Sequence, residues 1–214
     1  KDKFIKIKGL ICCSSSSIVT KRFSSSIKDK KLVKNLYNSE EKIYEICKNL
    51  GINCTIFRPT IIYGKCGNIK DNNLSKVSQI IKKLPFILLP KNIGLRQPIH
   101  AFQLAKLTSF FINKMSKISE NNFIYEKIEV GGDEILTYKD MIYRLNNKKQ
   151  KTFTYKTYIL TVPDYLFYIL ISPILIIRPN IFEKIFRISS DFCGFSKYCD
   201  LTGEETKKFP YEKY

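Results

Sequence analysis

The sequence predicts an α/β fold built on a doubly wound parallel sheet. Three observations carry this. Gly9 to Cys13 is a short apolar run that turns polar only at its end, in Ser14-Ser15-Ser16-Ser17. Such a run fits a buried parallel strand that delivers its carboxyl end to a site. Residues 31–50 then keep Leu32, Leu36, Ile43, Ile46, Cys47 and Leu50 on roughly one helical face, and Gly51 is a natural stop. Cys54-Thr55-Ile56-Phe57 begins a second apolar strand, followed by Arg58-Pro59 and by Ile61-Ile62-Tyr63-Gly64. Strand, helix, glycine, strand is the rhythm of a βαβ unit.

The remaining elements follow in order. Residues 21–30 are rich in Lys and Ser and read as a loop, as do residues 65–73. Residues 74–84 give an amphipathic helix through Leu74, Val77, Ile80, Ile81 and Leu84, and Pro85 to Pro90 reads as an apolar link. Gly94 to His100 is extended, 102–115 helical, and Ile124 to Val130 a strand that ends in the turn Gly131-Gly132. Thr137 to Asp140 resembles a capping box at the start of another helix. Tyr165 to Ile177 is strongly apolar between Asp164 and Arg178 but contains Pro173. Its 13 residues fall short of the roughly 20 that a spanning helix needs, so it reads as a buried or interfacial helix.

Composition narrows the function classes. The 214 residues are 44% hydrophobic and 26% charged, which excludes collagen-like, disulfide-miniprotein and wholly disordered chains. Lys and Arg number 37 against 19 Asp and Glu, a net charge of +18. The excess is mostly Lys scattered among Ile and Asn, with no dense Arg run and no reader motif, so nucleic acid is not the expected partner. His100 is the only histidine, which excludes a multi-histidine metal site. The seven cysteines, at 12, 13, 47, 54, 66, 193 and 199, form no C-x-x-C pair and read as reduced thiols in a cytoplasmic protein. The chain opens on Lys1 inside an extended pattern, so an upstream segment is expected.

Four segments, in this order, resemble an extended short-chain dehydrogenase/reductase of the NAD-dependent epimerase/dehydratase family, which acts on nucleotide sugars. They are the serine run after the first strand, GINCTIFRPTIIYG at 51–64, GLRQPIHAFQLAKL at 94–107 and VGGDEILTYKDMIYRL at 130–145. The polar tail from Thr202 to Pro210 is similar to the family's closing pattern. The resemblance implies that residues 1–64, interleaved with 94–115, are the C-terminal half of a Rossmann domain. Residues 65–214 would be mainly a smaller mixed α/β substrate-binding lobe with C-terminal helices. The family's glycine-rich phosphate loop would lie upstream of residue 1.

The same resemblance implies NAD or NADP as cofactor and a UDP- or dTDP-sugar as substrate, in cell-envelope polysaccharide precursor synthesis. Ser16 aligns with the family's catalytic Ser/Thr, with Ser15 the near alternative. Ser14, Ser15, Arg58, Pro59 and Thr60 fall at cofactor-contacting positions. Arg96, Asn73 and Tyr63 fall at substrate positions, where a guanidinium offers a bidentate fork to a diphosphate. The family's Tyr-x-x-x-Lys pair, in which the Lys lowers the Tyr pKa, should begin near Leu32 and Val33. Tyr37 is the nearest phenol, but Glu41 stands where the Lys is needed, and Lys34 is the cation on the adjacent turn. Tyr44-x-x-x-Lys48 matches literally but lies too close to Arg58 in sequence, so it reads as a decoy. A second expectation is therefore a catalytically silent member that holds NAD(P) as a structural or regulatory subunit. His100 and Gln103 fall at positions expected to be structural. The resemblance further implies a homodimer through helices that include 31–50, and the apolar 165–177 helix suits the inner face of a membrane.

Overall fold

In the computed structural model the described residues are 7–66, 68–71, 73–81, 83–117, 123–147 and 157–211. Strand β1 (Gly9–Cys13) leads through the short helix α1 (Ser17–Thr20) to the long helix α2 (Ile27–Leu50) and then to β2 (Asn53–Pro59). Ser26 in an extended conformation opens α2. Gly51, at φ 63°, closes it in the left-handed region, where Gly51 N donates to the Lys48 carbonyl and Ile52 N to that of Cys47. This is a Schellman end, which a residue with a Cβ would adopt only under strain. The helix begins at Ile27, earlier than its apolar pattern implies.

Short pairs β3 (Ile62–Tyr63), β4 (Lys65–Cys66) and β5 (Ile69–Lys70) follow, so the stretch expected as a loop holds a two-stranded ribbon. Helix α3 (Leu74–Ile81) precedes β6 (Phe86–Pro90), which is a strand rather than a link. Then come β7 (Leu95–Arg96), β8 (Ile99–His100), α4 (Ala101–Ser116), β9 (Tyr125–Gly131), β10 (Leu136–Thr137) and α5 (Tyr138–Asn147). The Thr137 hydroxyl accepts from Asp140 N at 3.0 Å, the capping contact the sequence announces. The chain ends through β11 (Tyr158–Val162), α6 (Asp164–Ile177), α7 (Pro179–Phe186), β12 (Ser196–Lys197) and α8 (Tyr198–Thr202).

The main sheet has four parallel strands in the order β1-β2-β9-β12. Both faces are covered. Cys54 and Ile56 of β2 pack with Cys47 and Ile43 of α2 on one side, and Phe57 and Val130 pack with Leu107 and Phe111 of α4 and Tyr198 of α8 on the other. Burial on both faces explains why β2 reads as an almost unbroken apolar run. Burial also pushes the Cys54 thiol up to about 12, with Cys47 beside it, so this pair is an inert part of the core. A second cluster joins Tyr63, Leu74, Leu136, Met141 and Phe209, and β6 pairs with β11 in parallel.

Two expectations change. Of the stripe predicted for α2, Cys47 is buried, but Leu32, Ile46 and Leu50 are exposed, and the inward stripe instead carries a charge, Glu40. Helix α6 is not buried. Of its residues only Phe167 is fully covered, while Ile176 is 88% and Ile177 74% exposed. Among the described residues no helix is long and apolar enough to cross a membrane.

Candidate functional site

In an open α/β sheet, ligands bind outside the carboxyl ends of the strands. Here the ends of β1 and β2 are stitched together by backbone: Ser14 N donates to the Phe57 carbonyl at 2.7 Å and Ser16 N to that of Pro59 at 3.0 Å. Thr60 N donates to Val130 at the end of β9, and the Thr60 hydroxyl donates to the Gln97 carbonyl. The structure thus brings Ser14, Ser15, Ser16, Arg58, Pro59 and Thr60 to one edge of the sheet.

The three serines have different fates. The Ser14 hydroxyl donates to Glu40 Oε1 at 2.6 Å. The Ser15 hydroxyl accepts from Ser17 N at 3.1 Å. Ser16 is 8% exposed, precedes α1, and makes no side-chain hydrogen bond among the described residues. Its hydroxyl is the one left unspent.

Beneath them lies a charge network that the sequence reading missed. Glu40, 1% exposed, receives both Nε and Nη2 of Arg58, the Nε bond at 3.0 Å, while Lys127 stands 3.8 Å from it. Arg58 also reaches Glu129, and Lys127 pairs with Glu41 at 2.8 Å. Burial by itself would raise the Glu40 pKa, but the bonds from Arg58 and Ser14 outweigh it and hold the carboxyl below its usual range. Glu40 is one helical repeat from the half-buried Leu36, and Leu32, a further repeat toward the strand ends, is exposed. Tyr37 points away from this line: it is 53% exposed, and its ring is approached by Lys127 at 5.9 Å. Tyr44 packs against Tyr125 near the other end of the helix, far along α2 from Ser16.

The substrate positions expected from the sequence are placed elsewhere. Arg96 is 4% exposed and donates to the carbonyls of Leu95, Ser190 and Arg187, with Phe192 4.6 Å from its guanidinium. It fastens the turn after α7, so its fork is not presented to a diphosphate. Tyr63 is buried, accepts from Tyr211 N at 2.8 Å, and packs edge-on to His100 and Phe209. Asn73 is exposed at the start of α3, where its N–H is held by Asp71 at 3.0 Å.

His100 and Gln103 do the structural work expected of them. The His100 Nδ1 accepts from Phe102 N at 3.1 Å, and the Gln103 Oε1 accepts from His100 N at 3.0 Å, a capping box for α4. Burial keeps the imidazole below its ordinary pKa, with Asp71 opposing. Gly64, at φ 121°, lets His100 come close: a Cβ there would sit 2.4 Å from Nε2. Gln103 also donates to Asp133, which further accepts from Cys199 N at 2.7 Å and Lys207 N at 2.9 Å. Gln97, 1% exposed, ties Gly132 at the end of β9 to both backbone groups of Phe195. Gln97 and Asp133 were visible only as polar residues inside otherwise apolar or glycine-rich motifs, and Glu40 as a lone carboxylate in an apolar stripe.

No family model matches the sequence, and no curated protein matches it. Solved structures do match. A UDP-glucuronic acid 4-epimerase from Bacillus cereus, in complex with NAD, superposes with a TM-score of 0.54 at 16% identity, over 95% of this chain and 58% of that one. RMD from Pseudomonas aeruginosa, complexed with NADPH, gives 0.53 at 10% identity, over 92% and 60%. A UDP-N-acetylglucosamine 4-epimerase from Bacillus cereus gives 0.51 at 13% identity, over 78% and 58%. This chain has their fold. It spans about 58–60% of the length of these three proteins. The α/β class and the parallel sheet expected from the sequence are therefore present, in the fold of these three structures.

Proposed function

We propose that this chain forms part of an NAD(P)-dependent protein of the nucleotide-sugar epimerase and reductase type. The observation that carries the reading is Ser16, 8% exposed at the carboxyl end of β1, whose hydroxyl makes no hydrogen bond among the described residues, in a fold shared with such enzymes. Ser14 and Ser15 spend their hydroxyls on Glu40 and Ser17, which favours Ser16 over Ser15 as the group that meets a reacting oxygen. The strand-end edge formed by Ser14, Ser15, Arg58, Pro59 and Thr60 fits the nicotinamide side of a dinucleotide. When bound, the dinucleotide supplies or accepts the hydride. Ser16 orients the sugar oxygen by a hydrogen bond. Arg58, locked to Glu40, fixes the end of β2 and carries no free charge to the substrate.

A second reading has its own support. The Glu40 stripe, where a Tyr-x-x-x-Lys pair would stand, presents Leu36 and Leu32, and Tyr37 lies off it with no cation four residues on. This favours a protein that holds NAD(P) without the usual proton transfer.

The test uses the complete gene product with UDP-glucose, UDP-glucuronate and dTDP-4-dehydrorhamnose, with products separated by chromatography. Turnover that falls on the order of 100-fold or more in Ser16→Ala, with cofactor affinity unchanged, supports the first reading. Equal turnover in Ser16→Ala removes the serine from its role. Cofactor binding with no turnover of any sugar nucleotide favours the silent protein.

A further inference from the structure

A groove of about 890 Å³ lies between the 20–28 segment and the α6–α7 pair, within the size range of small-molecule sites. Its walls are Phe23, Ile27, Leu175, Phe182, Phe186 and Phe192. Phe23 is 92% and Ile27 83% exposed, so these side chains reach into open space rather than into the core. Of the charged groups that line it, Glu183 and Arg187 have partners, Arg187 in a cluster with Asp29 and Lys21 beside the groove. Asp29 holds Lys21 at 2.9 Å and also Arg187, the Ser24 hydroxyl donates to Asp29, and the Ser25 hydroxyl donates to Glu183 at 2.9 Å. Lys28 alone among the lining cations makes no ion pair among the described residues. The groove offers mainly apolar walls, a few hydroxyls, among them Thr20, Ser26 and Ser190, and one ammonium without an ion pair among the described residues.

We propose that the groove binds the hydrocarbon chain of a single-chain amphiphile with an anionic head, the chain lying along Phe23, Ile27, Leu175 and Phe186 and the head at Lys28. Charge complementarity selects the head: Lys28 is the one cation lining the groove without an ion pair among the described residues. Continuity selects the chain. Leu175 lines the groove, and the next two residues, Ile176 and Ile177, continue the apolar surface outward along α6. An acyl carboxylate and a prenyl phosphate share this chemistry. The site adjoins the sheet edge through the Thr20 N–H bond to the Ser16 carbonyl at 2.9 Å, so the test reads amphiphile and dinucleotide binding separately.

The experiment titrates the complete protein with cis-parinaric acid by fluorescence and displaces it with palmitate, farnesyl phosphate, hexadecanol or UDP-glucose. Saturable binding, displaced by palmitate or farnesyl phosphate and not by UDP-glucose, is expected, and the better of the two competitors tells the carboxylate from the phosphate. The double variant Phe23→Ser, Ile27→Ser, altered at exposed positions, should weaken binding by about tenfold or more while NADH affinity stays unchanged. Lys28→Gln should weaken palmitate and leave hexadecanol unaffected. Absence of saturable binding, displacement by UDP-glucose, or undiminished binding in the double variant overturns the proposal. So does a dimer, seen by light scattering, that the double variant dissociates while the probe fails to bind, because the groove would then be a contact between copies of this chain.

Discussion

The sheet edge and the groove adjoin, since Thr20 of the groove donates its backbone N–H to the Ser16 carbonyl at 2.9 Å, yet they are satisfied in opposite ways. At the sheet edge the buried charges Glu40 and Arg58 are paired, the neighbouring hydroxyls of Ser14 and Ser15 are engaged, and Ser16 is left over. In the groove Arg187 and Glu183 have partners and Lys28 has no ion pair among the described residues, and most of the lining is aromatic and aliphatic side chain. The first arrangement holds a backbone rigid and offers one hydroxyl. The second offers surface that gains by being covered.

The sharpest way to break this comparison is to remove the charge under the sheet edge. Glu40→Ala strands the largely buried Arg58 guanidinium and should destabilise the protein by about 3–5 kcal/mol in urea unfolding. Phe23→Ser in the groove should change stability by less than about 0.5 kcal/mol, since Phe23 is exposed. Equal losses in the two variants would erase the distinction.

A pH titration probes the ion cluster beside the groove, which Arg187 shares with it. Burial would raise the Asp29 carboxyl, but hydrogen bonds and charge from Lys21 and Arg187 outweigh it and hold it at about 2, below its usual 3.8. A carboxyl with a depressed folded pKa adds stability that is fully present above its unfolded value and is lost as pH falls toward the folded one. Thermal unfolding should therefore show an extra loss between pH 3.8 and about 2 that Asp29→Asn lacks. An identical acid limb in both proteins would show that the Lys21–Asp29–Arg187 cluster does not form.

The smallest effect is expected at Tyr37. Its ring is half exposed, so Tyr37→Phe should alter stability by under about 0.5 kcal/mol and leave any turnover unchanged. Loss of turnover would reinstate this phenol as the proton donor.

Much of the sheet was legible because it is written locally. The Gly9–Cys13 run, the Gly51 stop and the Thr137 cap each act within a few residues, and the structure keeps all three. The partnership of β6 with β11 was not legible, because Phe86 and Tyr158 pair across most of the C-terminal half and neither strand alternates cleanly. Helix α2 misled because an apolar count assigns Leu32, Ile46 and Leu50 inward, whereas Glu40 takes the inward stripe through a salt bridge that only the fold brings to Arg58. Arg96 shows the limit of a motif: the guanidinium lies in the expected extended segment, but the carbonyls of residues 187 and 190 reach it first.

The most direct measurement of the central claim is a fluorescence titration of the complete protein with NADH and NADPH, repeated with Arg58→Ala and Ser16→Ala. Saturable binding of either cofactor, weakened when Arg58 no longer fixes the end of β2 and retained in Ser16→Ala, is the predicted result. No binding of either cofactor by the folded protein would contradict the assignment of the sheet edge as a dinucleotide site.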